Sequence, residues 1–151
     1  MKKALKILGI IVLAIAILIG AILLVANISL KNAEKLQTYD FGADKMPSLN
    51  SVVGDRKVTG VSSSSNTNGT QQKKYTYETQ SSGEDWIEYH NALRAAGFLI
   101  TESQEGNDLK GSIQYGCVSA DEGKIILINL SWDNNQISVE LIKVVGTITP
   151  E

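Results

Sequence analysis

The chain has 151 residues, 43% of them hydrophobic and 20% charged, with a formal net charge of −2. That length suits one domain, and the absence of basic clusters excludes the electrostatic footprint of a nucleic-acid binder. Cys117 is the only cysteine, so no intramolecular disulfide can form and the fold must stand on an apolar core.

Residues 1–6 form a basic tip with Lys2, Lys3 and Lys6, and residues 7–30 then carry no charge and are nearly all Ile, Leu, Val, Ala and Gly. As a helix this run is about 36 Å long, enough to cross a hydrocarbon core of about 30 Å with some tilt. Inside a soluble domain of this size, a helix apolar all round would have nothing to bury its outer side against. The leading lysines predict a cytoplasmic N-terminus, with everything after residue 30 outside the cell. A cleaved signal peptide is the alternative. Its apolar region usually runs about 7–15 residues to a small-x-small site, whereas "LLVANISLKNA" offers no clean site. A lipoprotein signal would need a cysteine just after the run. The reading is therefore a permanent single-pass anchor, with membrane lipid as the partner of residues 7–30. Ala16 and Gly20 are a small-residue pair of the kind that lets helices approach, a spacing that also arises by chance.

Residues 31–46 are polar and are expected to continue the helix for a turn or two and then act as a tether, spacing a domain (residues 47–146) off the lipid headgroups. Past the anchor, eleven basic residues face sixteen acidic ones, a formal charge of −5. This acidic balance argues against nucleic acid or anionic lipid as a ligand of the domain. Lys73 and Lys74 are an isolated pair at a strand start rather than a patch.

Residues 57–63 alternate as a strand after a turn at Gly54-Asp55. "SSSSNTNGTQQ" follows, a loop with Asn68-Gly69 as its turn, and residues 73–79 alternate again with Tyr75, Thr76 and Tyr77. The pair predicts a hairpin with a long loop. Ser81 or Ser82, with Glu84 or Asp85 three residues on, has the spacing of a helix N-cap, and the acids suit the positive end of the helix dipole. A helix over 84–96 places Trp86, Tyr89, Leu93 and Ala96 on one face. Gly97 suits the left-handed position that ends a helix, with Phe98 packing back on Leu93. Four strands follow, over 98–103, 112–119, 124–132 and 136–145. Their core faces are expected to be Ile113, Tyr115 and Cys117; Ile126, Ile128, Leu130 and Trp132; and Ile137, Val139, Leu141 and Val145. Gly111 and Gly116 weaken the second of these strands. "EGND", "ADEGK" and "DNN" are the turns, and short links imply antiparallel neighbours. Residues 147–151 read as a frayed tail. The fold class is α+β: a transmembrane helix, then a two-layer domain with one helix on an antiparallel sheet, in the order β-β-α-β-β-β-β.

No chemistry is legible. Gly54 and Gly60 match neither the P-loop nor the dinucleotide pattern. The acids of "DEGK" and "EGND" suit solvated turns better than a calcium loop. Asn68 and Asn129 head glycosylation sequons, which carry meaning only in a cell that glycosylates them. His90 lies about 40° from Trp86 at the edge of the apolar helix face, where a histidine packs its ring and keeps one nitrogen wet. No second histidine exists to complete a zinc site with it. Cys117 reads as a small buried hydrophobe on a strand, with an intermolecular disulfide as its functional alternative. No catalytic, cofactor-binding or metal-binding residue is assigned.

The succession "MPSLNSVVGDRKVTG", "KKYTYET", "WIEYHNALRAAGF" and "SADEGKIILINLSW" resembles small membrane-attached or exported proteins of Gram-positive bacteria, over most of residues 46–145. That resemblance implies an extracytoplasmic location and a compact α+β fold, and no activity. Three functions are weighed, in this order: a membrane-anchored extracytoplasmic binding module with an envelope protein or ligand as partner; an accessory subunit of a membrane assembly; and an envelope hydrolase using His90 with Glu88 or Asp85. A module of the first kind would bind through an exposed sheet edge, the sheet face away from the helix, or the loop over 62–72.

Overall fold

The apolar run forms one uninterrupted helix, α1 (Lys2–Glu34), in the computed structural model, which describes residues 2–148. At about 50 Å α1 is long and apolar enough to cross a bilayer or to serve as an export signal, and the side chains from Ile11 to Ser29 are exposed along its length. Leu30 is the first to touch the rest of the chain, and Ala33 is buried in the core.

The stretch expected as a tether is instead part of the fold. β1 (Thr38–Phe41) and β2 (Asp44–Pro47) form a tight antiparallel hairpin, and α2 (Leu49–Val53) follows, capped by the Ser48 hydroxyl, which accepts the Ser51 N–H at 3.1 Å. The polar composition hid three buried side chains, Tyr39, Phe41 and Met46. In a four-residue strand with period two, two apolar residues suffice to make an inward face. Tyr39 stacks on Tyr75 with ring centroids 4.6 Å apart, and its hydroxyl accepts the Leu49 N–H at 3.1 Å and meets the Tyr77 hydroxyl at 2.5 Å. Burial pushes the Tyr39 phenol well above its ordinary value, so this hub stays protonated.

The main sheet has six strands: β3 (Lys57–Ser65), β4 (Gln71–Glu78), β5 (Leu99–Gly106), β6 (Lys110–Val118), β7 (Lys124–Asp133) and β8 (Gln136–Val145). Their spatial order is β3-β4-β8-β7-β6-β5, antiparallel throughout. Between β4 and β5 runs α3 (Ser82–Ala95). The α+β sandwich is as the sequence predicts, with the extra hairpin and α2 joining α3 in the layer over the sheet. Ile126, Ile128, Leu130 and Trp132 of β7 and Ile137, Val139 and Leu141 of β8 fill its inner face. The fourth inward position of β8 is Lys143, not Val145, which is exposed.

α3 ends as its sequence predicts. Gly97 has φ +91°, its N–H bonds the Arg94 carbonyl at 3.1 Å, and the Phe98 N–H bonds the Leu93 carbonyl at 3.0 Å, the paired bonds of a Schellman end. Its start differs. Ser81 makes no side-chain cap; its own N–H donates to the Thr79 hydroxyl at 3.1 Å, which in turn donates to Asp85. Ala96 is exposed rather than on the buried face, because the helix ends one residue before it. Residues 147 and 148 of the expected tail continue along the sheet: the Gly146 N–H before them bonds the Gly123 carbonyl at 3.1 Å and Ile148 is half-buried. The remaining three lie outside the described residues.

Candidate interaction face

The hairpin, α2 and α3 cover one face of the sheet, and among the described residues the opposite face carries no helix. Its side chains follow from the register as rows running across the strands. Ser112, Ser131, Ser138 and Thr76 are paired in succession, then Gln114, Asn129, Glu140 and Lys74, then Gly116, Leu127, Ile142 and Gln72, then Val118, Ile125 and Val144. The face therefore grades from hydroxyl to amide and carboxylate to apolar within one sheet length. A single-residue slip would exchange all of these for the core set.

The amide row is a continuous hydrogen-bonded chain. Thr101 donates to Gln114 at 2.8 Å, Gln114 to Asn129 at 2.8 Å, Asn129 to Glu140 at 2.8 Å, and Gln72 to the second Glu140 oxygen at 2.7 Å. Five strands are thereby joined through side chains on one face. Glu140 accepts from both neighbours, which fixes each amide's orientation. Such a chain is rigid, so the groups on it present a preset pattern rather than a mobile one.

Two cavities open along this face. The larger, about 1270 Å³, is lined by Leu99, Thr101, Gln114, Leu127 and Asn129 and is bordered by Ile148 of the C-terminal segment. The smaller, about 580 Å³, lies at the hydroxyl end and includes Ser112, Ser131 and Ser138. Both are open grooves that combine apolar side chains with oriented polar groups, the two ingredients of a ligand site.

The residues singled out from sequence for chemistry lie elsewhere. His90 Nδ1 is 2.7 Å from the Tyr115 hydroxyl, and its ring meets Trp86 edge-on at 6.0 Å. Burial, then the nearby Arg94, lowers its pKa. Asp85, one of its suggested acids, is buried and gripped by Arg56 through two bonds of 2.7 and 2.8 Å, and Glu88 is exposed. His90 is thus a packed ring with a tyrosine partner. Cys117 is half-buried, and burial followed by the nearby Asp44 carboxylate pushes its thiol up to about 11, which leaves it unreactive at neutral pH.

A second polar cluster escaped the sequence reading. Lys143 is 2% exposed. Its ammonium has three donors and three acceptors: Asp44 at 2.7 Å, Asp121 at 2.6 Å and the Phe41 carbonyl at 3.1 Å. Asp44 also accepts from Ser119 Oγ at 2.7 Å and the Ala120 N–H at 2.6 Å. Every proton is spent, so the cluster is a clasp between the β1–β2 hairpin and the end of the sheet, not a reactive lysine. The "ADEGK" acid Asp121 is committed to it. The signal available in sequence was a lysine in period with Ile137, Val139 and Leu141. The signal for the amide row was Gln114, Asn129 and Glu140, each one step out of phase with its strand's core residues.

No family model, curated protein or solved structure matches the chain.

Proposed function

We propose that the chain is a single-pass membrane protein with a cytoplasmic N-terminus, whose extracytoplasmic domain binds an envelope partner or ligand on the open sheet face. The observation that carries this reading is the oriented amide row beside open grooves on a face that, among the described residues, no helix covers. The edges are less suitable for strand addition. β5 pairs irregularly, with register shifts at two places, and the N–H of Val58 at the start of β3 is taken by the Glu34 carboxylate at 3.1 Å. Irregular edges discourage strand addition. The resemblance to exported proteins of Gram-positive bacteria supports the same placement outside the membrane.

The test is photo-crosslinking in cells with the full-length chain, using a benzophenone amino acid at Leu127 on the open face or at Glu88 on the exposed side of α3. A discrete adduct from position 127 and none from 88 is expected. Adducts from 88 alone, or none from 127 at full expression, would reject the open face as the binding surface.

A further inference from the structure

The apolar run and the folded domain meet at one residue. From Ile11 to Ser29 every side chain of α1 is exposed; Leu30, the last residue of the run, is half-buried against the core, and Ala33 is buried. The last turn is then bonded into the domain. The Glu34 carboxylate accepts the Val58 N–H at 3.1 Å, and its carbonyl accepts the Asn50 side-chain amide at 3.0 Å. The same amide reaches the Arg56 carbonyl at 2.9 Å, and Arg56 holds Asp85 of α3. No flexible residue intervenes between the helix and these bonds.

The length of α1 then sets the height of the domain. A run of 24 residues exceeds a hydrocarbon core of about 30 Å by about 6 Å. Even if all of that surplus lay on the outer side, Leu30 would stand no higher than the headgroup layer, which is about 5–7 Å thick on each side. The acidic balance that argues against anionic lipid as a ligand of the domain as a whole is not spread evenly along it. Residues 31–57 hold five basic and four acidic residues, whereas residues 58–151 hold six basic and twelve acidic. Lys31 on the last turn of α1, Lys35 just past its end and Lys57 beside Val58 are exposed around the helix exit, and Lys57 also meets the exposed Glu78 carboxylate at 3.2 Å, a pair that solvent and headgroups can replace.

Resting on the membrane span proposed above, we infer that the surface around the helix exit is a lipid-contact surface, with Lys31, Lys35 and Lys57 seated among phospholipid headgroups. The domain lies on the bilayer rather than standing off it, and anionic phosphates are the partners of these lysines.

Depth-resolved fluorescence quenching tests this on the full-length protein in phosphatidylglycerol-containing vesicles. Single cysteines carrying an environment-sensitive dye replace Val12, Lys35, Lys57 or Glu122 in a Cys117→Ser background. Nitroxides sit either on the lipid headgroup or deep in the acyl chain. Quenching at Val12 by the acyl-chain nitroxide reports the span itself. Given that, Lys35 and Lys57 are expected to lose most of their fluorescence to the headgroup nitroxide and little to the deep one, with Glu122, at the opposite corner of the sheet, unaffected. A quenched Val12 with Lys35 and Lys57 no more quenched than Glu122 would overturn the inference while leaving the span intact. An unquenched Val12 would overturn both.

Discussion

Trp86 and Trp132 are the clearest case of two like residues with unlike duties. They stack with ring centroids 4.4 Å apart and an interplanar angle of 8°, joining α3 to β7. Trp132 Nε1 donates to the Asn107 carbonyl at 2.8 Å, whereas Trp86 Nε1 is buried with no hydrogen-bond partner among the described residues. An unmet donor contributes a cost of about 1–3 kcal/mol. Trp86→Ala should therefore lose about 3–5 kcal/mol through the cavity it leaves, while Trp86→Phe loses some area but removes the unmet N–H and stays within about 1.5 kcal/mol of wild type. Urea unfolding followed by circular dichroism checks both. Equal losses in the two variants would show that the indole nitrogen has a partner. The sequence placed Trp86, Tyr89 and Leu93 on the buried face of α3 because a 3.6-residue period leaves little choice. It could not show which indole was bonded, since the partner Asn107 lies in a turn distant in sequence.

At the scale of elements, strands were legible where alternation was long, as in β7 and β8, and obscure where it was short. β1 and β2 have four residues each, too few for a period to stand out from a polar background. Gly111 counted against β6 in the sequence, yet the structure needs it: an added Cβ would lie 2.6 Å from the Trp132 ring and 2.5 Å from the Glu105 carbonyl. Lys143 similarly breaks the apolar face of β8 only until its partners are known. Burial pushes the Asp44 carboxyl up, but the Ala120 N–H, Lys143 and Ser119 together hold it below its ordinary 3.8. Its contribution is fully present above that value and is lost as the pH falls from there through the lowered one. Burial pulls the Lys143 ammonium down, but the two carboxylates hold it above its ordinary 10.5, so its share persists below that value and is lost as the pH rises further. Lys143→Met should cost about 3 kcal/mol at pH 7, because removing one partner strands the other charge. It should also flatten the fall of melting temperature as the pH drops below about 4, from the ordinary carboxylate value down through the lowered one. An unchanged acid limb would mean that Asp44 owes its stability to Ser119 and Ala120 alone.

For the whole molecule, the polar-looking connector turns out to belong to the core. Tyr39, Phe41 and Met46 are each at most 3% exposed, and burying such side chains is worth about 1.5–3 kcal/mol apiece. Their sum is comparable with the total stability of a small domain. Replacing residues 38–47 with a Gly-Ser segment of equal length should leave the domain unfolded, as judged by loss of proteolytic resistance in the full-length protein. A resistant core of unchanged size would show the hairpin to be dispensable. The open face was foreseeable only in outline. A sequence with one helix beside many strands must leave one sheet face uncovered, but which side chains bond across it depends on strand order. The β4–β8 neighbourhood, joining residues about sixty to seventy apart, is not written in local pattern.

The Glu34 carboxylate fastened to the Val58 N–H has a mechanical meaning. With α1 in a bilayer, the continuous backbone from span to sheet denies the domain any swing or stretch, so the open face is held at one elevation and one pitch above the lipid. On the reading proposed above, a partner of that face would have to come down to that height, and the protein would meet it by drifting sideways and spinning about its own axis, not by casting outward.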